Sequence, residues 1–498
     1  MIKVENEVKL TIAEDETNPF LLGHFESVGK EYTATTESLE VIGEIPKDLN
    51  GVYVRNGHNQ VHAPMGVYHP FDGDGMLHAV HFEEGKATYR NRFVRTTGFL
   101  AEEAAQKSLW SGILEPHLTT RQGWGSMGTM KDNAGTDVIA HGGKLLASMS
   151  QCSEINRMDP VTLEMLEPDA WNNTVAPQGI CSHFKVDNDT GELMFFNFSE
   201  TYPYMNYGVV GPDSKLKHYV PIDLPGIRWP HDLGVTKNYS ILHDLPFIFD
   251  PKLFEKGERK VTFFDDMPAR FGIIPRHGTN EDIKWFEAKS CFILHLSNCY
   301  EVGDDVIMEG CVTFNPGKPE VGKQGSNATD KIKQAMNKTA TQYRMYRWTF
   351  NLKTGKTKED FLDEEATEFP VVSNDYVGKK YRYSYNSTLN SDINKPWYLT
   401  GLIKYDLKEG TSQKYEYGED RLGSEPHIAR RTNAIEEDDG YLITLVTDLK
   451  KNQSECLILN ASDLTLGPVA RIILPHRIPT GAHGAWVEGA RIKGELVK

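Results

Sequence analysis

Long apolar runs are missing from this chain. No window approaches the roughly 20 consecutive apolar residues that a membrane-spanning helix needs, and the start, Met1-Ile2-Lys3-Val4-Glu5-Asn6-Glu7, has no apolar signal core. Neither a membrane-spanning chain nor a signal-directed secreted one is expected, and the expected setting is cytoplasmic. Positive charge is scarce too: 54 Lys and Arg against 70 Asp and Glu leave a net charge of −16. That balance excludes a phosphate-tracking surface, so no nucleic-acid partner is expected. Cysteine is sparse: Cys152, Cys181, Cys291, Cys299, Cys311 and Cys456 form no CxxC pair, which fits reduced, buried thiols better than a disulfide scaffold. No Gly-x-Ser-x-Gly elbow offers a nucleophile. Gly317-Lys318-Pro319-Glu320-Val321-Gly322-Lys323 starts like a phosphate loop, but Gln324 stands where a Mg²⁺-binding hydroxyl is required. Asp72-Gly73-Asp74-Gly75 starts like a calcium loop, but Met76, Leu77 and Ala79 fill later positions, and a tight Gly-assisted turn is the better reading.

What is present is β-rich punctuation over the whole length. Short apolar runs end in polar turns such as Val186-Asp187-Asn188-Asp189-Thr190-Gly191 and Phe350-Asn351-Leu352-Lys353-Thr354-Gly355. From Arg344 to Leu352 the apolar residues Tyr346, Trp348, Phe350 and Leu352 alternate with Arg347, Thr349 and Asn351, the period of a strand. Such hairpins suit a sandwich, a barrel or a propeller. Their irregular spacing points to an all-β propeller with unequal blades. No linker divides residues 1–498, which are expected to form one domain with insertions at about 98–120, 244–260 and 315–341. The first insertion carries helix formers over residues 98–114. Its Phe99, Leu100, Leu109 and Trp110 suit either a membrane-dipping face or a cap packed on the sheets.

Seventeen histidines are present, and four stand at apolar strand edges far apart in the chain: His183, His231, His295 and His483. Inner strands of a propeller all face one axis, so such residues can meet there. Spacing alone leaves that convergence open. Four neutral imidazoles would suit Fe, Cu, Zn or Ni, and an all-His site with room for further ligands favours Fe(II). Each would need an acceptor for its second N–H, and Glu368 and Glu425 are candidates, as against ordinary solvated carboxylates.

Taken together, several stretches resemble the carotenoid cleavage oxygenases: Gly51-Val52-Tyr53-Val54-Arg55-Asn56-Gly57, Phe71 to Val80, the strand at His183, His231-Asp232-Leu233-Gly234-Val235-Thr236, Lys284-Trp285-Phe286-Glu287 leading to His295, Ser424-Glu425-Pro426, and His483-Gly484. The resemblance runs nearly end to end. It implies a seven-bladed β-propeller with a helical cap over one face and an apolar tunnel. It also implies an Fe(2+) on the axis, held by His183, His231, His295 and His483 as both metal-binding and catalytic residues. Glu368 and Glu425 then match carboxylates behind the ligands, Thr136 matches the residue crowding an open iron position, and His243 matches nothing. The third such carboxylate falls on Gln151, which still offers an amide oxygen but no charge.

The implied reaction is oxidative cleavage of one C=C bond of a conjugated chain by O₂. Ile113 and Met149 or Ser150 occupy the positions where stilbene-cleaving members engage a phenol, which favours a carotenoid or apocarotenoid. The polyene would come from lipid, so Phe99, Leu100, Leu109 and Trp110 are the expected peripheral membrane contact. Phe247, Ile248, Phe249, Leu253 and Phe254 form a second apolar patch. A stilbene-cleaving dioxygenase, a retinoid-type isomerohydrolase and a non-catalytic ligand-binding propeller are the alternatives.

Overall fold

The fold is that of a computed structural model describing residues 2–494 except 116–117, 127, 168–170, 172–173, 176–178, 256–260, 317–341 and 391–397. The phosphate-loop look-alike and the core of the third insertion therefore lie outside the described residues. Antiparallel sheets follow one another around a ring as seven blades. The innermost strands of blades two to six are Asp137–His141, Lys185–Val186, Gly234–Val235, Phe292–Val302 and Thr367–Val371. Blade seven begins with Arg421–Gly423 and His427–Arg430, both paired to Gly440–Asp448.

Blade one closes the ring. Its innermost strand, Gly484–Glu488, comes from the far end of the chain and pairs with Gly51–His58, Gly484 opposite Arg55 and Glu488 opposite Gly51. Blade seven is locked in the opposite sense, because early residues Glu40–Gly43 add an outer strand to Pro468–Ile473. The alternating strand is found as expected: in Arg344–Asn351, Tyr346, Trp348 and Phe350 are buried. They join the largest apolar cluster, packed between neighbouring blades.

The pairing registers give the ring two unlike ends. Helix Thr97–Ala105 leaves blade one at Phe93, which pairs with Met76 beyond the level of Gly484. Strands Tyr239–Asp244 and Asp305–Thr313 run out at the same end, at Asp244 and Thr313. At the other end the strands turn tightly, as at Gly142 (φ 55) with Gly143 (φ 73) and at Asp187 to Gly191.

Two expectations are corrected. The helix ends at Ala105, not near Leu114, with Thr96 capping its start and Gln106 (φ 52) its end. Phe99 and Trp110 are buried, Phe99 against Phe93 and Trp110 beside Trp124, so packing rather than lipid accounts for them. Of the four residues assigned to a membrane face, only Leu100 is exposed, at 49%. The acidic turn holds no calcium-loop geometry: Asp72 accepts the His69 and Ile113 N–H groups, and Asp74 pairs with Lys131. All six cysteines are free and buried, as expected. Among the described residues no helix is long and apolar enough to cross a membrane.

Candidate metal centre

Three of the four histidines flank the start of an innermost strand: His183 before Lys185–Val186, His231 before Gly234–Val235 and His483 before Gly484–Glu488. His295 lies early in Phe292–Val302. Equivalent positions on neighbouring blades meet at the axis. Ring centroids stand 4.6 Å apart for His183 and His231, 4.6 Å for His183 and His483, 5.0 Å for His183 and His295, and 4.5 Å for His295 and His483. Ligand atoms of His183, His295 and His483 lie within 4.8 Å of one another. His231 completes the group with its Nε2 3.3 Å from that of His295.

That last separation is informative. Two nitrogens about 2.1 Å from one ion and at right angles to each other stand about 3 Å apart, so the pair already has the spacing of neighbouring ligands. His183 Nε2 is buried without a hydrogen-bond partner. Unpartnered buried nitrogen is costly, and a metal ion would satisfy it.

Partners from adjacent blades fix the rings. Glu368, fully buried in blade six, takes the Nδ1 of His295 at 2.5 Å. Glu425 of blade seven takes His483 Nδ1 at 3.0 Å and accepts the Gly484 N–H at 2.7 Å. Thr136 O accepts the His483 N–H at 3.2 Å, and the Thr136 hydroxyl accepts the Ser150 N–H at 3.2 Å. With their Nδ1 atoms so engaged, His295 and His483 present Nε2 to a common centre.

Sequence reasoning missed three supporting groups. Asp137 accepts the backbone N–H of His183 at 2.9 Å, stabilising a left-handed backbone (φ 67) that aims this ring. Asp232 accepts the Leu296 N–H at 2.8 Å and pairs with Lys185 at 2.7 Å, tying three blades together below the histidines. Phe369, also left-handed (φ 53), lays its ring 5.0 Å from His295 and 5.1 Å from His483. The only signal for Asp137 and Asp232 was their place beside Thr136 and His231.

Gln151 does not back an imidazole. It is buried, but among the described residues its side chain makes no hydrogen bond to the four rings. The chain turns at Cys152 (φ 72), and the following bonds run to Phe198 and Ile180. His243, unmatched in the sequence, is buried edge-on against Phe271.

Charge at the centre is finely divided. Burial, reinforced by neighbouring imidazoles, holds His183, His231 and His295 well below the usual histidine range, so these rings are neutral, the form that can take a metal ion. Burial also opposes charge on His483, but Glu425 overcomes it and lifts this ring to about 9. Although burial works the other way, His483 and His427 keep Glu425 well below the usual carboxylate range. Burial raises Glu368 well above it.

Aromatic rings precede two of the histidines in the chain, Trp229 before His231 and Phe292 before His295. Trp229, two residues before His231, stacks on Phe247 at 6.3 Å and Phe249 at 5.8 Å, and Phe247 meets Phe292 at 4.6 Å.

The family model described as retinal pigment epithelial membrane protein matches residues 25–488. A carotenoid 9,10(9',10')-cleavage dioxygenase 1 of Phaseolus vulgaris is 35% identical over 94% of this chain and 89% of its own. Among solved structures, the lignostilbene dioxygenase of Pseudomonas brassicacearum superposes with a TM-score of 0.81 at 26% identity, covering 96% of this chain and all of that one. Cobalt-substituted Synechocystis ACO superposes at 0.79 with 25% identity, covering 93% and 98%. A match running through every blade and all four histidines leaves one conclusion: the chain belongs to the carotenoid cleavage oxygenase family of oxidoreductases, the family that the retinal pigment epithelial membrane protein model describes.

Proposed function

We propose that His183, His231, His295 and His483 hold one Fe(II) ion, and that the protein cleaves one C=C bond of a carotenoid or apocarotenoid to two carbonyl products with O₂. The observation that carries this reading is the convergence of four imidazoles, His183, His295 and His483 buried and His231 half-buried, against the ring of Phe369. Iron so held supplies O₂ activation beside the bound double bond.

The chain's own residues do the rest. Glu368 and Glu425 fix two rings, and Glu425, held well below the usual carboxylate range, offsets part of the ion's charge. Thr136, anchored on Ser150 and His483, narrows one open side of the centre. Phe369, Trp229 and Phe247 offer faces on which a conjugated chain can lie, and fixing it there selects the bond that reacts. No side chain here is assigned a proton transfer. Leu100, with Leu114 and Leu118 also exposed, is the surface at which such a substrate would be taken from lipid.

The test is incubation of iron-loaded protein with a panel of apocarotenoids and hydroxystilbenes under ¹⁸O₂, with products weighed. Labelled aldehydes or ketones from the polyenes are expected. Products only from hydroxystilbenes would favour the second reading, a stilbene-cleaving dioxygenase, which the likeness to the lignostilbene enzyme supports. Against it stand Ile113, Met149 and Ser150, none of which can ionise a phenol.

A further inference from the structure

Below the histidines, a cavity of about 360 Å³ runs along the propeller axis. Its walls are the innermost strands, from His183, His295 and His483 at one end to the tight turns at the other. A five-residue inner strand such as Asp137–His141 spans roughly 16 Å, and the volume holds on the order of a dozen waters. This is the end opposite the helix Thr97–Ala105. The mouth is formed by Gly142, Gly143, Asp189, Asn374, Glu488 and Arg491.

The lining charge is one-sided. Asp137, Asp189, Asp232, Glu425 and Glu488 face Lys185 and Arg491, and Lys379, from outside the lining, pairs with Asp189 at 2.7 Å, leaving five carboxylates against three cations. Both lining cations are already paired, Lys185 with Asp232 at 2.7 Å and Arg491 with Glu488 at 3.1 Å. A narrow channel with excess negative charge concentrates small cations. At its inner end His183 Nε2 is buried and unpartnered, ready to take one.

We propose that this axial channel is the route by which a hydrated divalent metal ion reaches the four histidines, entering from the tight-turn face while the capped face is left to the organic substrate. The proposal rests on the metal-holding reading of the histidines and adds a direction of entry to it. The carboxylates along the wall replace the ion's water in stages, so that it arrives at the imidazoles partly dehydrated.

Uptake kinetics test this without any turnover. Metal-free protein is mixed with Co²⁺ and the visible absorption of the bound ion is followed, with cobalt per chain measured at the end. Glu488→Lys should slow uptake several-fold, and the difference should shrink as salt is raised. Asp189→Cys carrying a bulky maleimide adduct should slow it at least tenfold. The six native cysteines are all buried, so the label is selective. Leu100→Cys carrying the same adduct, on the capped end, should load at the parent rate. Every variant should finish with one cobalt per chain. Equal rates throughout, or slowing by the adduct at position 100 and not at 189, would overturn the route while leaving the metal site standing. A parent protein that takes up no cobalt even at equilibrium would remove the site and the route together.

Discussion

Glu368 and Glu425 are a matched pair by position but not by charge, and substitution should separate them. Glu425→Gln removes the carboxylate that burial alone would not have left ionised beside His483. Glu368→Gln removes a hydrogen-bond acceptor from a site that already resists charge. Both variants should lose metal to a chelator about 10–100-fold more readily than the parent, with Glu425→Gln the more affected. Inductively coupled plasma analysis after timed dialysis gives the comparison, and equal retention in all three proteins would refute it. Asp132 gives a separate pH prediction. It is buried, accepts the Ala134 N–H at 3.1 Å and Asn156 Nδ2 at 3.2 Å, and burial pushes its carboxyl up to about 7. The folded state therefore keeps a proton that the unfolded chain releases near pH 4, and this group's contribution falls as pH rises from about 4 to about 7 and is flat above. Asp132→Asn should remove that slope, because the Asn156 amide can turn over to accept. At pH 8 the variant should be the more stable, by as much as about 4 kcal/mol, in urea titrations.

The strand Gly484–Glu488 carries unusual responsibility for its length. It fills the innermost place of the closing blade, and Trp486 is buried in the cluster between blades seven and one. Trp486→Ala should cost about 3–5 kcal/mol, read as a lowered urea midpoint with an unchanged slope. The turn before it is equally confined. A Cβ on Gly481 would come within 2.6 Å of Arg55 Cζ and 2.7 Å of Asn56 O, so Gly481→Ala must displace the turn that presents His483. Reduced metal content with nearly parental far-ultraviolet dichroism is expected. The sequence foretold this element in part: Gly-Ala-His-Gly before an apolar run marks a turn into a strand, but its partner, Gly51–His58, lies more than four hundred residues earlier and leaves no local trace. The helix shows the reverse failure. Helix formers continue past Ala105, yet Gln106 ends it in a left-handed cap and Trp110 turns into the protein. Apolar content alone could not tell lipid from packing.

Across the whole molecule, the seven-bladed ring and the four histidines were legible because a long series of motifs matched in order. The supporting groups were not, because they act across blades. Asp137 serves a histidine of the next blade and Asp232 a strand of the blade after its own, whereas Gln151 was assigned by counting along the chain and makes no hydrogen bond to the four rings among the described residues. The unlike ends of the ring were equally invisible, being a property of register. That asymmetry predicts that charge placed at the capped end will affect substrate capture alone: Leu100→Asp should lower association with phospholipid vesicles in flotation assays and leave metal content unaltered. Ring closure also bears on biosynthesis. A nascent polypeptide emerging from the ribosome has three imidazoles and an unsealed circle until the stretch through Glu488 has been translated. Half-made copies thus lack the fourth imidazole and the final seam together, and the group of four assembles only as folding finishes.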